Sequence, residues 1–313
     1  MLSKKQTTKH ILMVRPAHFG YNEQTAESNA FQTKDKRRTT SNIEKSAKAE
    51  FDGFVRKLRE AGIQVHVAED TPDPVKTDAV FPNNWVTFHT DGTVITYPML
   101  SVNRRLERNE NILEGLSELF LITRRYHLEL YEKEERFLEG TGSMILDRVH
   151  RLAYACISPR TNPDLLNNFC EKINYQPVLF RSVDQDGIEI YHTNVMMALG
   201  ETFVVICMES IPDEQDRKRL KRHFAGTAKE IIEITFDQMM AFAGNMLQVR
   251  NDQEEMILVM SEQAYRSLTS GQIAQLEKHS LLLYSPIDTI ETYGGGSVRC
   301  MMAEIFLPEK EVK

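Results

Sequence analysis

Asn84-Trp85-Val86-Thr87-Phe88-His89-Thr90-Asp91-Gly92-Thr93-Val94-Ile95-Thr96-Tyr97 reads as two short strands folded about an Asp-Gly turn. Asp-Gly accepts the positive φ that a tight hairpin demands, so it is a strong hairpin signal between alternating segments. The same pattern returns three times: Gly142 to Ile157 about Asp147-Arg148, Asn194 to Cys207 about Gly200-Glu201, and Asn245 to Met260 about Asn251-Asp252. The turns begin at 91, 147, 200 and 251, in steps of 56, 53 and 51 residues. Near-equal steps of this size point to a repeated supersecondary unit. A helical pattern follows each hairpin. Arg104 to Leu119 carries Leu106, Ile112, Leu113, Leu116 and Leu119; Asn162-Pro163-Asp164, Pro212-Asp213-Glu214 and Ser261-Glu262 open the other three with capping residues or a first-turn proline. A fifth unit is split between the ends: Met302 to Leu307 pairs with His10 to Val14, and Asn42 to Ala61 supplies its helix, with Ile43, Ala47, Phe54, Val55 and Leu58 on one face. The expected fold is α/β, a pseudo-fivefold ring of hairpin-plus-helix units closed by the terminal strands, which removes free sheet edges. An open α/β sheet is the other arrangement these elements permit.

Composition narrows the function classes. A chain of 313 residues, 41% hydrophobic and 27% charged, is long enough to bury a large core. A net charge of -7 argues against a nucleic-acid-binding face. Local basic runs such as Arg217 to Arg222 read as solvated helix faces. No stretch has the apolar length of a membrane span, and the basic N-terminus Met1-Leu2-Ser3-Lys4-Lys5-Gln6 lacks the apolar run of a signal peptide. Four cysteines without framework spacing suggest a reducing cytoplasm rather than disulfides, and no cluster has metal-ligand spacing. Gly294-Gly295-Gly296-Ser297 lacks the ending of a phosphate loop, and no GxGxxG follows a strand, so no nucleotide cofactor is expected.

The repeat orders the candidate chemistry. Asn84 precedes its turn by 7 residues, Glu139 by 8, His192 by 8 and Asn245 by 6, while Cys300 precedes the final strand. Equivalent positions of a pseudo-symmetric ring converge on its axis, so these polar residues would line one pocket. Cys300 follows a glycine run that leaves room for a substrate. Cys156 and Cys207 sit in apolar strands and Cys170 on a helix, where cysteine acts as a small hydrophobe. Glu139, in Phe137-Leu138-Glu139-Gly140, is poorly placed for solvation; the plainer reading is a carboxylate capping loop amides. His192 and Asn194 are read as projecting to one side of a strand, and a strand histidine is otherwise a hydrogen-bonded core residue. Together, thiol, imidazole and buried acid are the parts of covalent catalysis.

These residues resemble the guanidine-modifying superfamily of arginine deiminases, dimethylargininases and amidinotransferases, and within it the citrulline utilization hydrolase group. The resemblance runs almost the whole length. It is carried by Val14-Arg15-Pro16, Asp78-Ala79-Val80-Phe81-Pro82-Asn83-Asn84-Trp85, Arg104-Arg105, Phe137-Leu138-Glu139-Gly140, Ser158-Pro159-Arg160-Thr161, His192-Thr193-Asn194, Gly244-Asn245 and Cys300. It implies a five-bladed α/β propeller (the pentein fold) spanning residues 1–313 as a single catalytic domain. It implies Cys300 as nucleophile, His192 as general acid/base, Glu139 and Asp78 as carboxylates facing substrate nitrogen, and Arg104 (or its neighbour Arg105) with Arg160 as the grip on a substrate α-carboxylate. No metal or organic cofactor is implied. The partner is a small molecule, with a homodimer left open.

Two positions depart from the arginine-handling members: Asn84 stands where dimethylargininases commonly have Asp, and Asn194 where arginine deiminases do. A guanidinium offers only donors and suits carboxylates. A ureido carbonyl needs a donor, which a carboxamide has and an ionised carboxylate lacks. The exchange points to citrulline, cleaved to ornithine, ammonia and carbon dioxide. The other readings are an arginine deiminase or dimethylargininase-type hydrolase acting on a guanidino substrate and, in another class, an inactive propeller used as a binding module, in which Cys300 would be unreactive. The polar segment Ala17 to Phe31 is either a lid or a surface excursion.

Overall fold

The computed structural model describes residues 5–26, 29, 31–33 and 39–311. Met1 to Lys4 of the basic N-terminus, and Glu27, Ser28 and Ala30 of the polar segment, lie outside the described residues. Fifteen strands are present among them: β1 (His10–Arg15), β2 (Gln64–Glu69), β3 (Val86–Phe88), β4 (Thr93–Thr96), β5 (Arg124–His127), β6 (Ile145–Asp147), β7 (Leu152–Cys156), β8 (Gln176–Phe180), β9 (Met197–Leu199), β10 (Phe203–Ile206), β11 (Glu230–Glu233), β12 (Leu247–Arg250), β13 (Met256–Ser261), β14 (Leu281–Ser285) and β15 (Ala303–Ile305). They form five three-stranded sheets of one build: β15-β1-β2, β3-β4-β5, β6-β7-β8, β9-β10-β11 and β12-β13-β14. In each, the first strand is antiparallel to the middle one, and the third runs parallel to the middle one. The split fifth unit is present, with His10 opposite Ile305 and Leu12 opposite Ala303.

The parallel third strand is what the sequence reading lacked. A parallel neighbour cannot be reached by a tight turn, so a helix carries the chain back across the sheet. Arg124–His127 and Glu230–Glu233 are polar or half-exposed and carry no alternation like that of the hairpins. The crossover helices show why the chain coils where it does. Thr39 caps Thr40–Glu60 by accepting from the Asn42 amide, and Ile43, Ala47, Phe51, Phe54, Val55 and Leu58 form its buried stripe. Asn162 caps Pro163–Ile173, which ends at Asn174 with φ 56°.

The expected single helix from Arg104 to Leu119 is two pieces. Val102–Glu107 is a 3₁₀ turn, Arg108 is extended, and Asn109 caps a new α-helix, Glu110–Leu119. The break lets Arg104 and Glu107 pair inward, as described below. His192 is extended, but Asn194 lies on a short helical turn, Thr193–Met196, and not on a strand. Thr193 fixes that turn: its hydroxyl accepts from the Cys156 amide at 2.9 Å and reaches the Ser143 carbonyl at 2.5 Å. Similar turns precede β3 (Pro82–Asn84) and β6 (Gly140–Ser143). The turns at 82–84, 140–143 and 193–196 touch in succession, and β15 meets β3, β6 meets β9, and β9 meets β12. The first strands and their leading turns thus gather the polar residues singled out by the repeat. Among the described residues, no helix is long and apolar enough to cross a membrane.

Candidate active site

Cys300 follows Gly294-Gly295-Gly296 on the turn before β15, and its amide donates to the Ser297 carbonyl at 2.9 Å. Its sulfur meets two carboxamides, with Asn194 Nδ2 at 3.4 Å and Asn245 Nδ2 at 3.3 Å. The orientation of Asn245 is fixed by chemistry. The Arg299 amide can only donate, so it must face Oδ1 (3.0 Å), and the Asn194 carbonyl can only accept, so it must face Nδ2 (2.8 Å). Asn245 therefore presents an N–H to the sulfur. Its position in the repeat marked it as pocket-lining, but the sequence did not show that it would face the thiol.

Cys300 and His192 line one small cavity, together with Asp78, Asn84, Arg104 and Arg160. His192 Nε2 lies 2.8 Å from Glu139 Oε2. Burial pushes the Glu139 carboxyl up, but the Arg160 guanidinium, the His192 bond and Arg104 outweigh it and hold the acid far below the usual carboxylate range. Ionised Glu139 can only accept, so Nε2 carries the proton and Nδ1 is the basic nitrogen. Burial pushes the imidazole down to about 4, against the pull of Glu139, so the ring is neutral near pH 7. Nδ1 and Cε1 lie against Gly142, where an added Cβ would stand 2.8 Å from both and 2.3 Å from Asn84 Nδ2. A neutral base held by an ionised acid and sharing a cavity with a thiol can take the thiol proton and pass it to a leaving nitrogen.

Of the two arginines in the pair, Arg104 lines the cavity, whereas half-buried Arg105 donates to the Met99 carbonyl at 3.0 Å. Arg104 is already heavily engaged. Its Nε and Nη2 bind Glu107 in a two-pronged bridge, each at 2.8 Å, and Nη1 donates to Asn84 Oδ1 at 3.1 Å. Burial pushes Glu107 up to about 7, against Arg104. Arg160 stacks over the Tyr191 ring at 4.9 Å and lies 3.5 Å from Glu139 Oε2. Asp78 Oδ2 accepts from Asn22 at 2.8 Å, while its Oδ1 is buried without a partner; burial pushes this acid up, against Arg104 and Asn22.

Glu107 and Asn22 were missed in the sequence. Glu107 had a signal, a charge three residues from Arg104 on a helical segment. Asn22 had none, since its contact with Asp78 spans 56 residues. The polar segment is not a surface excursion where it is described. Phe19, Asn22, Thr25 and Asn29 are buried, and Asn29 Nδ2 donates to the Gly295 carbonyl at 3.3 Å.

The sequence model of the eukaryotic N,N-dimethylarginine dimethylhydrolases matches residues 15–307. The chain belongs to this family. As a dimethylarginine dimethylhydrolase-family protein, it falls within the guanidine-modifying superfamily expected from its motifs, an enzyme family that acts on guanidino carbon–nitrogen bonds. Its mixed α/β fold is shared by solved structures. The N-terminal domain of ArgZ, covalently bound to a reaction intermediate, superposes with a TM-score of 0.74 at 17% identity, covering 96% of this chain and 98% of that one. Full-length ArgZ, described as an arginine dihydrolase of the ornithine–ammonia cycle in cyanobacteria, also gives 0.74 at 17% identity, but the match spans 96% of this chain and only 41% of that one. A dimethylarginine dimethylaminohydrolase carrying an adduct with S-methyl-L-thiocitrulline gives 0.65 at 18% identity, covering 96% and 100%. No curated protein matches the sequence.

Proposed function

We propose that this protein hydrolyses the ureido group of citrulline to ornithine, ammonia and carbon dioxide through a covalent adduct on Cys300. One observation carries the reading. Arg104 can only donate, so the atom of Asn84 that faces it must be the carbonyl oxygen, and the Asn84 Nδ2 group is left buried in a cavity-lining residue with no partner. A buried donor without an acceptor costs about 1–3 kcal/mol, which a ligand carbonyl would relieve. A guanidinium has no acceptor to offer it.

In the proposed cycle, His192 Nδ1 takes the thiol proton and the sulfur attacks the ureido carbon. The oxygen gains negative charge beside Asn84 Nδ2. One carbon–nitrogen bond breaks as the imidazolium gives its proton to the departing nitrogen. Water, deprotonated by the same imidazole, then cleaves the thiocarbamoyl bond, and the products sum to ornithine, ammonia and carbon dioxide. Arg160 takes the α-carboxylate. Cys300, His192 and Glu139 form the catalytic set, Asp78 and Asn84 face the reacting group, and Asn194 is assigned to the sulfur. No metal or organic cofactor enters.

The same reading takes the five sheets as a closed five-bladed propeller, with residues 1–313 as one catalytic domain working in the cytoplasm. The contacts between first strands support it, as does the Arg250 amide donating to the Thr8 carbonyl at 3.1 Å, which ties the last sheet to the approach to β1.

A second reading, hydrolysis of a guanidino substrate such as arginine, is favoured by Asp78, whose unpartnered Oδ1 would, when ionised, suit a donor-only group. Product ratios separate the readings. Pure protein is given citrulline or arginine, and ornithine, citrulline and ammonia are measured. Equal ornithine and ammonia from citrulline supports the proposal. Citrulline accumulating from arginine, with no turnover of citrulline itself, overturns it. Cys300→Ala should abolish turnover and leave the far-ultraviolet circular dichroism unchanged.

A further inference from the structure

We propose that Glu107 sets the ligand preference of the pocket by holding Arg104 so that Asn84 offers its amide N–H, and not its carbonyl, to the bound group. This deepens the citrulline reading and rests on it for the direction of the preference.

A carboxamide is nearly symmetric in shape, so Asn84 in isolation can turn either end to the cavity. With Nδ2 inward it suits a carbonyl; with Oδ1 inward it suits a guanidinium. What breaks the symmetry is the guanidinium of Arg104, 3.1 Å from Oδ1. That guanidinium has three competing carboxylates. Asp78 Oδ2 lies 3.6 Å from its Nε, Glu139 Oε2 lies 4.0 Å from its Nη1, and Glu107 holds Nε and Nη2 at 2.8 Å each. Only Glu107 engages both prongs of the fork, which fixes the plane of the guanidinium as well as its position. All four side chains are buried, so none of these contacts is loosened by water.

The resemblance assigned Arg104 to the substrate α-carboxylate. In this chain three of its five N–H groups are committed, two of them to Glu107 across both prongs of the fork. Arg104 acts here through Asn84. Glu107, whose side-chain hydrogen bonds among the described residues go to Arg104, is a positioning residue two steps from the ligand. Without it, Arg104 would relax toward Asp78 or Glu139, and Asn84 would be free to turn over.

The test is Glu107→Gln, with kcat/KM measured for citrulline and for arginine, alongside the rate at which iodoacetamide alkylates Cys300. Loss of one oriented buried hydrogen bond lowers citrulline relative to arginine by about tenfold or more, with the alkylation rate unchanged. A general loss of structure would lower both substrates together and change alkylation as well. If Glu107→Gln does not fold, Glu107→Asp is read the same way: it keeps the charge but draws the fork back by one methylene, and a smaller fall in the same ratio is expected. Where turnover of one ligand is too slow, the ratio is taken from the concentrations of citrulline and arginine that protect Cys300 from alkylation. A folded variant with the wild-type ratio overturns the role of Glu107, whichever ligand the wild type prefers. Wild-type turnover of arginine without citrulline would instead overturn the citrulline reading, and the ratio in the variant would still report on Glu107.

Discussion

Replacing Gly142 with alanine tests the site through a single methyl group. The residue lies on the turn Gly140–Ser143, and its φ is not positive, so the backbone accepts alanine without strain. The obstacle is space. An added Cβ would stand 2.3 Å from Asn84 Nδ2 and 2.8 Å from His192 Nδ1 and Cε1, whereas ordinary contact begins at 3.4 Å. The carboxamide must then retreat by 1.1 Å (3.4 less 2.3) and the imidazole by 0.6 Å (3.4 less 2.8). Neither is free to do so, because Asn84 is held by Arg104 at 3.1 Å and His192 by Glu139 at 2.8 Å. Misplacing a reacting group by about 1 Å costs on the order of 100-fold in rate. Overpacking a tight site costs about 1–3 kcal/mol of stability. The assay is kcat/KM for ornithine release from citrulline, with thermal unfolding measured in parallel. The expected result is a fall of about 100-fold with only a modest drop in melting temperature. Gly115→Ala is the control: nothing lies within 4 Å of its Cβ position, on an exposed helix face, and it should keep full activity. A Gly142→Ala variant with wild-type kcat/KM would refute the placement of both Asn84 and His192 at the reacting group.

The neutral imidazole predicts an unusual pH limb: kcat/KM should fall below about pH 4, where His192 gains its proton, and not near 6.5. Stability follows the same group. Its folded value lies below its unfolded one, so the unfolded chain binds the proton first, and stability is lost as pH falls from 6.5 to about 4; His192→Gln should flatten urea midpoints across that window. Glu291 behaves in the opposite sense. Burial raises it from 4.5 to about 7, against the Ser297 and Ser261 hydroxyls, so its ionisation opposes folding as pH rises through that range. Glu291→Gln should gain up to about 3 kcal/mol in urea unfolding at pH 8 and almost nothing at pH 4.5. Asn245→Asp puts an acceptor where a donor faces the sulfur at 3.3 Å. It should slow alkylation of Cys300 by iodoacetamide about tenfold; an unchanged rate would remove Asn245 from the site.

The hairpins were legible because turn signals, strongest at Asp91-Gly92, recur at near-equal steps between short apolar strands, which the structure buries on both faces. The third strands were not legible, since a parallel strand such as Arg124–His127 takes its place from a helix across the sheet and from no turn of its own. The site shows the same division. Cys300, Glu139 and His192 could be singled out by position in the repeat, and they line or adjoin one cavity. Asn194 was read on a strand beside His192, yet it reaches the sulfur from a helical turn that Thr193 pins to the neighbouring sheets.

Residue type alone left the choice of ligand open. Asn84 in place of Asp removes a charge, but a carboxamide can donate or accept, and the sequence does not say which end faces inward. In the proposed reading the choice is made by Arg104 on Oδ1 and by Glu107 on Arg104. Their inward orientation goes with the chain leaving the helical path between Glu107 and Glu110, a break absent from the single helix expected over Arg104 to Leu119. Had Arg104 to Leu119 formed one continuous helix, the register that turns Arg104 and Glu107 inward would have been tied to the apolar face of Ile112, Leu113 and Leu116. The extended Arg108 and the Asn109 cap uncouple the two, so the packing helix and the polar clamp can each take the orientation they need.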